Sequence, residues 1–305
     1  MARFSPAASR QSNSVRSRSV ALVLSLVGTV FSFIVLATGS TLAEPAAAVL
    51  RVCADPDNMP LSNRRGEGYE NKIAEELARD LGRRVEYTWF PQRMGFVRHT
   101  LRQKDETTLQ FSCDVIIGVP KGYELTATTR PYMHSTYALL FAGREDFASL
   151  KTADDLVKLP AAKLQSLRIG VFGLSPGANW LLRHNLLERA VMYAPQSGDP
   201  AVNPALVVEQ DLAAGKIDVA ILWGPMAGFL VQRHASSSWR AVPFTPDREI
   251  RFDYEMSMGV RFGEKEWQGA LNEWIGAHQA KVDQILTSFS VPLLDSSGKI
   301  IGDSP

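Results

Sequence analysis

The pentapeptide Gly173-Leu174-Ser175-Pro176-Gly177 has the spacing of a nucleophile elbow, where a serine is raised on a sharp strand-to-helix turn. The chemistry fails at one residue. An oxyanion hole at such an elbow uses the backbone N–H after the nucleophile, and Pro176 has none. Serine before proline is instead the pattern of a helix N-cap, and the amides of that helix start can hold an anion. Ser175 therefore reads as a plain cap or as a cap that also touches a ligand. No residue is assigned as catalytic.

Asp55, Asp57, Glu67 and Glu70 crowd one short stretch. A carboxylate pair there could do acid–base work or bind calcium, but the Asp-x-Asp pair lacks the later glutamate of a calcium loop. An Asx-turn and a glutamate at a helix start account for the same residues. The histidines (His99, His134, His184, His234 and His278) are scattered without ligand spacing, so no metal site is expected. Neither a Walker loop nor a dinucleotide fingerprint occurs, and no cofactor is expected. Arg130, ahead of Pro131, is the most pointed charge: in a loop it could clamp a carboxylate, or it could form a surface ion pair. Trp89, Tyr132, Trp180 and Trp223 fall near element ends, as pocket walls or core residues would.

Two similar units have to hold these groups. Apolar runs predict strands at Val49 to Ala54, Val85 to Trp89 and from Asp114 to Gly118. Between them lie an amphipathic helix from Tyr69 to Leu81 and a short one from Phe96 to Arg102. The polar segment through Arg130-Pro131-Tyr132 is expected to be a ligand-facing loop, followed by a departing strand from Tyr137 to Ala142. In the second unit, strands at Arg168 to Phe172, Val191 to Tyr193 and Asp218 to Leu222 alternate with helix starts at Ser175 and Asn203. Arg240 to Pro243 and Ser257 to Val260 read as further strands, and Glu264 to Phe289 as a helix. Each unit runs β-α-β-α-β, the order of an open parallel sheet, whose ligands sit outside the carboxyl ends of the strands. Asp55 to Asn63 and Gly118 to Tyr123 occupy those ends. Two such sheets joined by extended crossovers make an α/β cleft protein.

The 305 residues are 45% hydrophobic and 21% charged, enough for two globular lobes. Lys plus Arg (33) and Asp plus Glu (32) nearly cancel, and no basic stripe points to nucleic acid. Residues 1–43 read as an export signal: arginines, an apolar run from Val20 to Ala37, then Thr41-Leu42-Ala43 as a cleavage pattern. The run is almost long enough to span a bilayer, so an uncleaved anchor is the alternative. No other stretch is apolar enough to cross a membrane, so a soluble exported protein is expected. Cys53 and Cys113 are the only cysteines. An oxidising compartment permits a bridge. If their strands are parallel neighbours the two are offset by several residues, beyond bridging distance unless a bulge intervenes. Both states stay open.

The segments LRVCADPDNMPLS, GYENKIAEELARDLG, CDVIIGVP, TTRPYMHSTYALLF, LRIGVFGLSPGANW and GKIDVAILWGP resemble the family 3 periplasmic solute-binding proteins over the whole mature chain. ADPDNMPLSNRRGEGYENKIAE, QRMGFVRHTL, GVPKGYELTATTRPY and WGPMAGFL are similar to the narrower subgroup that accompanies quinoprotein methanol dehydrogenases, the MxaJ/XoxJ type. The resemblance implies a periplasmic binding protein type II fold. Lobe 1 would comprise residues 49–141 plus 256–305 and lobe 2 residues 145–250, with hinge crossovers near Ala142 to Glu145 and Arg251 to Glu255. It implies a non-enzymatic accessory role, with the quinoprotein methanol dehydrogenase as partner, its cytochrome c as a further candidate, and a small-molecule ligand as the alternative occupant of the cleft. The ligand-facing set expected is Asp55, Asn58, Tyr69, Glu70, Gly118, Arg130, Tyr132, Ser175, Trp180 and Trp223. Where amino-acid receptors of the wider family place an acidic residue for the ligand amine, this chain has Trp223-Gly224-Pro225, which argues against a free amino acid. A transport receptor for a small anionic solute, held by Arg130 and the Ser175 helix start, is the competing reading.

Overall fold

The computed structural model describes residues 48–143, 145–195, 199 and 202–301; the expected export signal lies outside them. Strand β1 (Val49–Ala54) is paired on both sides, which is why it reads as a nearly unbroken apolar run. A small hairpin, β2 (Asp57–Asn58) and β3 (Ser62–Asn63), folds over its end. Helix α1 (Tyr69–Asp80) follows, then β4 (Arg84–Trp89), the single turn α2 (Phe96–His99) and β5 (Val115–Pro120). Asn71 starts α1 by accepting the N–H groups of Gly68 and Asn63 at 3.1 and 3.0 Å. The parallel order is β4-β1-β5.

Strand β6 (Ala127–Phe141) leads to the second unit: α3 (Ala161–Ser166), β7 (Ile169–Phe172), α4 (Pro176–Arg183), β8 (Ala190–Tyr193), α5 (Pro204–Ala213), β9 (Val219–Trp223), α6 (Gly224–Arg233) and β10 (Arg240–Pro243). Its parallel order, β8-β7-β9, repeats that of the first unit, with the middle strand of the sequence at the edge. The chain returns through β11 (Asp253–Val260), the 24-residue helix α7 (Lys265–Ser288), and the short β12 (Leu293–Leu294) and β13 (Ile300–Ile301). Antiparallel β11 and β6 stand between the two parallel sets. Residues up to Thr136 of β6 pair with β11, and from Tyr137 onward β6 pairs with β9 and β10.

One core lies under α1 and α7 around Ile73, Ile117, Tyr132 and Ile275. The second sheet is covered on both faces, by clusters around Trp180 and Phe252 and around Val208 and Leu230. No helix among the described residues is long and apolar enough to cross a membrane.

One expectation needs correction, and two open readings are settled or extended. The Arg130-Pro131-Tyr132 segment is no loop but the interior of β6. Its threonines are β-branched and suit a strand, and Pro131 is tolerated because the β6–β11 register slips beside it, between Met256 and Ser257. Trp223-Gly224-Pro225, read as the end of a strand, also opens helix α6, with Pro225 in the first turn where its missing N–H costs nothing. The cysteines are bridged, with Cα atoms 5.4 Å apart. Cys53 pairs with Ile116, so a straight strand would have carried Cys113 out of reach. Instead Thr88, opposite Cys53, donates to the Ser112 carbonyl at 2.6 Å. The chain therefore crosses the sheet before β5 begins.

Candidate functional site

A cavity of about 320 Å³ opens at the carboxyl ends of both parallel sets. The first set contributes Asp55, Asp57 and Asn58 after β1 and Pro91, Gln92 and Arg93 after β4. The second contributes Phe172 to Ser175 after β7, Pro195 and Asp199 after β8, and Trp223 and Met226 at the β9–α6 junction. Tyr137, where β6 changes partners, forms part of the floor. The loops meet because three antiparallel pairings separate β5 from β9, so the two parallel sets run in opposite directions and turn their carboxyl ends toward the same cavity.

Asp55 ties two of the loops. Its carboxylate accepts the N–H of Asp57 at 2.9 Å, as the Asx-turn reading requires, and also the N–H of Gln92. Burial raises its pKa, and these two donors act against that rise. Glu67 is drawn away to Arg65 and Asn63, each at 2.8 Å. Across the cavity Trp223 meets Tyr137 edge-on at 5.5 Å and Tyr254 at 6.0 Å. Burial, reinforced by Tyr254, pushes the Tyr137 hydroxyl up to about 12, so it is a neutral hydrogen-bonding group at ordinary pH. The Ser175 hydroxyl donates to the Phe172 carbonyl at 2.7 Å and accepts the Ala178 N–H at 3.3 Å. It is committed as a helix cap.

Of the expected ligand-facing residues, Asp55, Asn58, Ser175 and Trp223 line this cavity. Tyr69, Glu70, Gly118 and Tyr132 come together elsewhere, inside the first unit behind Asp55. Glu70 is 6% exposed and lies against the Cα of Gly118, where any Cβ would collide with its Oε1. Among the described residues, neither Glu70 Oε1 nor the Tyr132 hydroxyl has a hydrogen-bond partner. Burial first, then the Asp55 charge, pushes the Glu70 carboxyl up to about 8. Trp180 is wholly buried in the second unit, its indole N–H on Asp154 at 3.3 Å and its ring edge-on to Phe244. Arg130 is exposed on the far side: its backbone N–H donates to Asn272 and its guanidinium lies beside Gly276, both on α7. The carboxylate clamp assigned to it has no place in the cleft.

Tyr137, Phe172, Gln92, Arg93, Pro195, Asp199 and Met226 were missed. Phe172 closes a strand that periodicity had located, so its place at the cavity was legible. Tyr137 was read as the first residue of a departing strand, which marks where β6 changes partners but not that its side chain lies at the cavity. Among the described residues no group of three or more metal-ligating side chains gathers.

Two parallel-sheet lobes of matching strand order, shared antiparallel strands between them and a cleft at their carboxyl ends define a type II periplasmic-binding-protein fold. No family model matches the chain. The solved structure of the periplasmic binding protein XoxJ from Methylobacterium extorquens AM1 is 35% identical, with a TM-score of 0.64, the match covering 81% of this chain and 100% of that one. Protein MoxJ of Methylorubrum extorquens is 29% identical over 84% of this chain and 85% of its own length. Protein MoxJ of Paracoccus denitrificans is 29% identical over 86% of this chain and 96% of its own. The chain belongs to the periplasmic binding proteins of the MoxJ/XoxJ type.

Proposed function

We propose that this protein is a periplasmic accessory factor of methanol oxidation that grips a segment of a pyrroloquinoline-quinone-dependent methanol dehydrogenase in its cleft. The observation that carries this reading is the kinship with MoxJ and XoxJ over 84% and 81% of this chain, joined to the subgroup segments such as WGPMAGFL. The cleft supports a binding role over catalysis, since its one serine at an elbow position is spent on capping a helix. Residues 1–43 act as the export signal. The boundary expected at residues 141/145 moves back to Thr136/Tyr137, where β6 changes partners, so lobe 1 is residues 49–136 plus 256–305 and lobe 2 residues 137–250, while the second hinge stays near Arg251 to Glu255. The dehydrogenase's cytochrome c is a secondary partner. The competing receptor for an anionic solute is disfavoured, because Arg130 stands outside the cleft and three carboxylates stand within it.

Affinity purification of the tagged protein from methanol-grown cells tests the proposal. The dehydrogenase should co-elute, and a deletion strain should lose methanol-oxidising activity. Absence of the enzyme from the eluate together with wild-type activity in the deletion strain would refute it.

A further inference from the structure

Among the described lining residues, three carboxylates (Asp55, Asp57 and Asp199) face one guanidinium, that of Arg93. They are not equivalent. Asp55 is used internally, holding the N–H groups of Asp57 and Gln92. Among the described residues the Asp57 carboxylate forms no hydrogen bond, and its neighbour Arg65 is turned to Glu67 at 2.8 Å. Arg93 lies over the Phe90 ring at 5.6 Å. Tyr137, Trp223 and Phe172 supply aromatic rings to the same cavity. The Asp57 carboxylate in a cavity also lined by aromatic rings is a setting that stabilises a cation by charge and by the ring quadrupole. Behind Asp55, moreover, the buried Glu70 Oε1 has no hydrogen-bond partner among the described residues.

The lips of the cleft add a second feature. Leu174, on the β7–α4 turn, is 99% exposed and holds a left-handed backbone with φ of 60°. Met94, next to Arg93 on the opposite loop, is 92% exposed. A leucine displayed wholly to water in a conformation that suits glycine gains nothing for the free protein. A small free cation would fill the cavity and leave both side chains in water. A length of polypeptide would cover them.

Resting on the reading of the cleft as a grip on a partner protein, we propose that it takes a lysine or arginine side chain of that partner. The charge would sit between Asp57 and the Trp223–Tyr137 rings, and apolar neighbours on the same segment would cover Leu174 and Met94.

Calorimetry with three probes tests this: acetyl-Leu-Arg-Leu-amide, its citrulline counterpart, and acetyl-arginine-methylamide. The arginine tripeptide should bind about tenfold more tightly than the citrulline one, the worth of a charge-assisted contact. It should also bind several-fold more tightly than the single residue. Asp57→Asn should abolish the preference for arginine. Leu174→Gly should weaken tripeptide binding several-fold while raising Tm by about 1–3 °C through relief of the left-handed backbone. Equal affinity for arginine and citrulline, an unchanged Asp57→Asn variant, a single residue binding as tightly as the tripeptide, or no tripeptide binding at millimolar concentration would each overturn the inference. Capture of the dehydrogenase equally by wild type and Asp57→Asn overturns it while leaving the accessory role standing. Charge-selective tripeptide binding without capture of the dehydrogenase supports the inference and removes that enzyme as the partner.

Discussion

At the start of β1, Arg51 forks onto Asp114 at 3.1 and 2.9 Å; at the start of β7, Arg168 forks onto Asp218 at 3.0 Å on both prongs. The two lobes thus share strand order and the arginine staple at the amino edge of each sheet. They diverge at the carboxyl edge, where the cleft is. In lobe 1 the second residue of the first helix is the bulky Glu70, and the facing strand supplies the glycine, Gly118. In lobe 2 the arrangement is reversed: Gly177 on α4 faces Ile221 of β9. The same close approach of helix and sheet is reached with glycine on opposite partners. One solution leaves an ionisable group beside the cleft, and the other leaves none. The edge away from the cleft is common scaffold, and the edge beside it is where the lobes were specialised.

Removing the disulfide strains the comparison most, because only lobe 1 has one. Its loop spans 60 residues, so Cys53→Ser with Cys113→Ser should cost about 4 kcal/mol. Thermal unfolding should shift down by roughly 10 °C. A lobe 2 core reporter such as Trp180 should lose its signal later than a lobe 1 reporter.

The next effect concerns Glu70. Its folded pKa of about 8 lies above the ordinary 4.5, so the folded state keeps a proton that the unfolded chain has released. Stability should therefore fall as pH rises through that window and stay low above it, by on the order of 3 kcal/mol from pH 5 to 8. Glu70→Gln should flatten the profile and gain stability at pH 8 in denaturant titrations. An unchanged profile would mean the carboxyl is already ionised in the fold.

Overpacking comes third. Gly118→Ala and Gly177→Ala should each cost about 2 kcal/mol. The first should be relieved by Glu70→Ala, with about 1 kcal/mol of coupling in a double-mutant cycle, while Gly177→Ala should be indifferent to that change. Smallest is the loss of helix caps. Ser175→Ala gives up one amide contact and should cost about 1 kcal/mol. Asn71→Ala gives up two and should cost more, both read as shifts in denaturation midpoint.

Periodicity made the βαβαβ order, the helix starts at Ser175 and Asn203, and the long α7 legible, because each is set by local residues. Carboxyl-end loops followed from the order, and so Asp55, Asn58 and Trp223 were placed near the cavity. What stayed hidden depended on partners distant in sequence. Thr128 and Pro131 look like parts of a loop until β11 is there to pair with them. Glu70 and Tyr132 belong to a cleft edge by position along the chain, yet packing on Gly118 and under α7 turns them inward. The cysteine bridge hinged on a chain crossing that no strand pattern encodes.

Strand β6 carries a consequence for how the gene can vary. Its first ten residues belong to one sheet and its last five to another. Side chains alternate faces along any strand, so deleting or inserting one residue inverts everything downstream. In most proteins such an error is confined to one sheet. Here a slip near Ala127 would be inherited by Leu139 and Phe141 on one face and Ala138 and Leu140 on the other, exchanging two lobe 2 cores as well. A single reading frame of parity thus serves both lobes. Family members should vary in the length of their loops while keeping the length of β6 fixed.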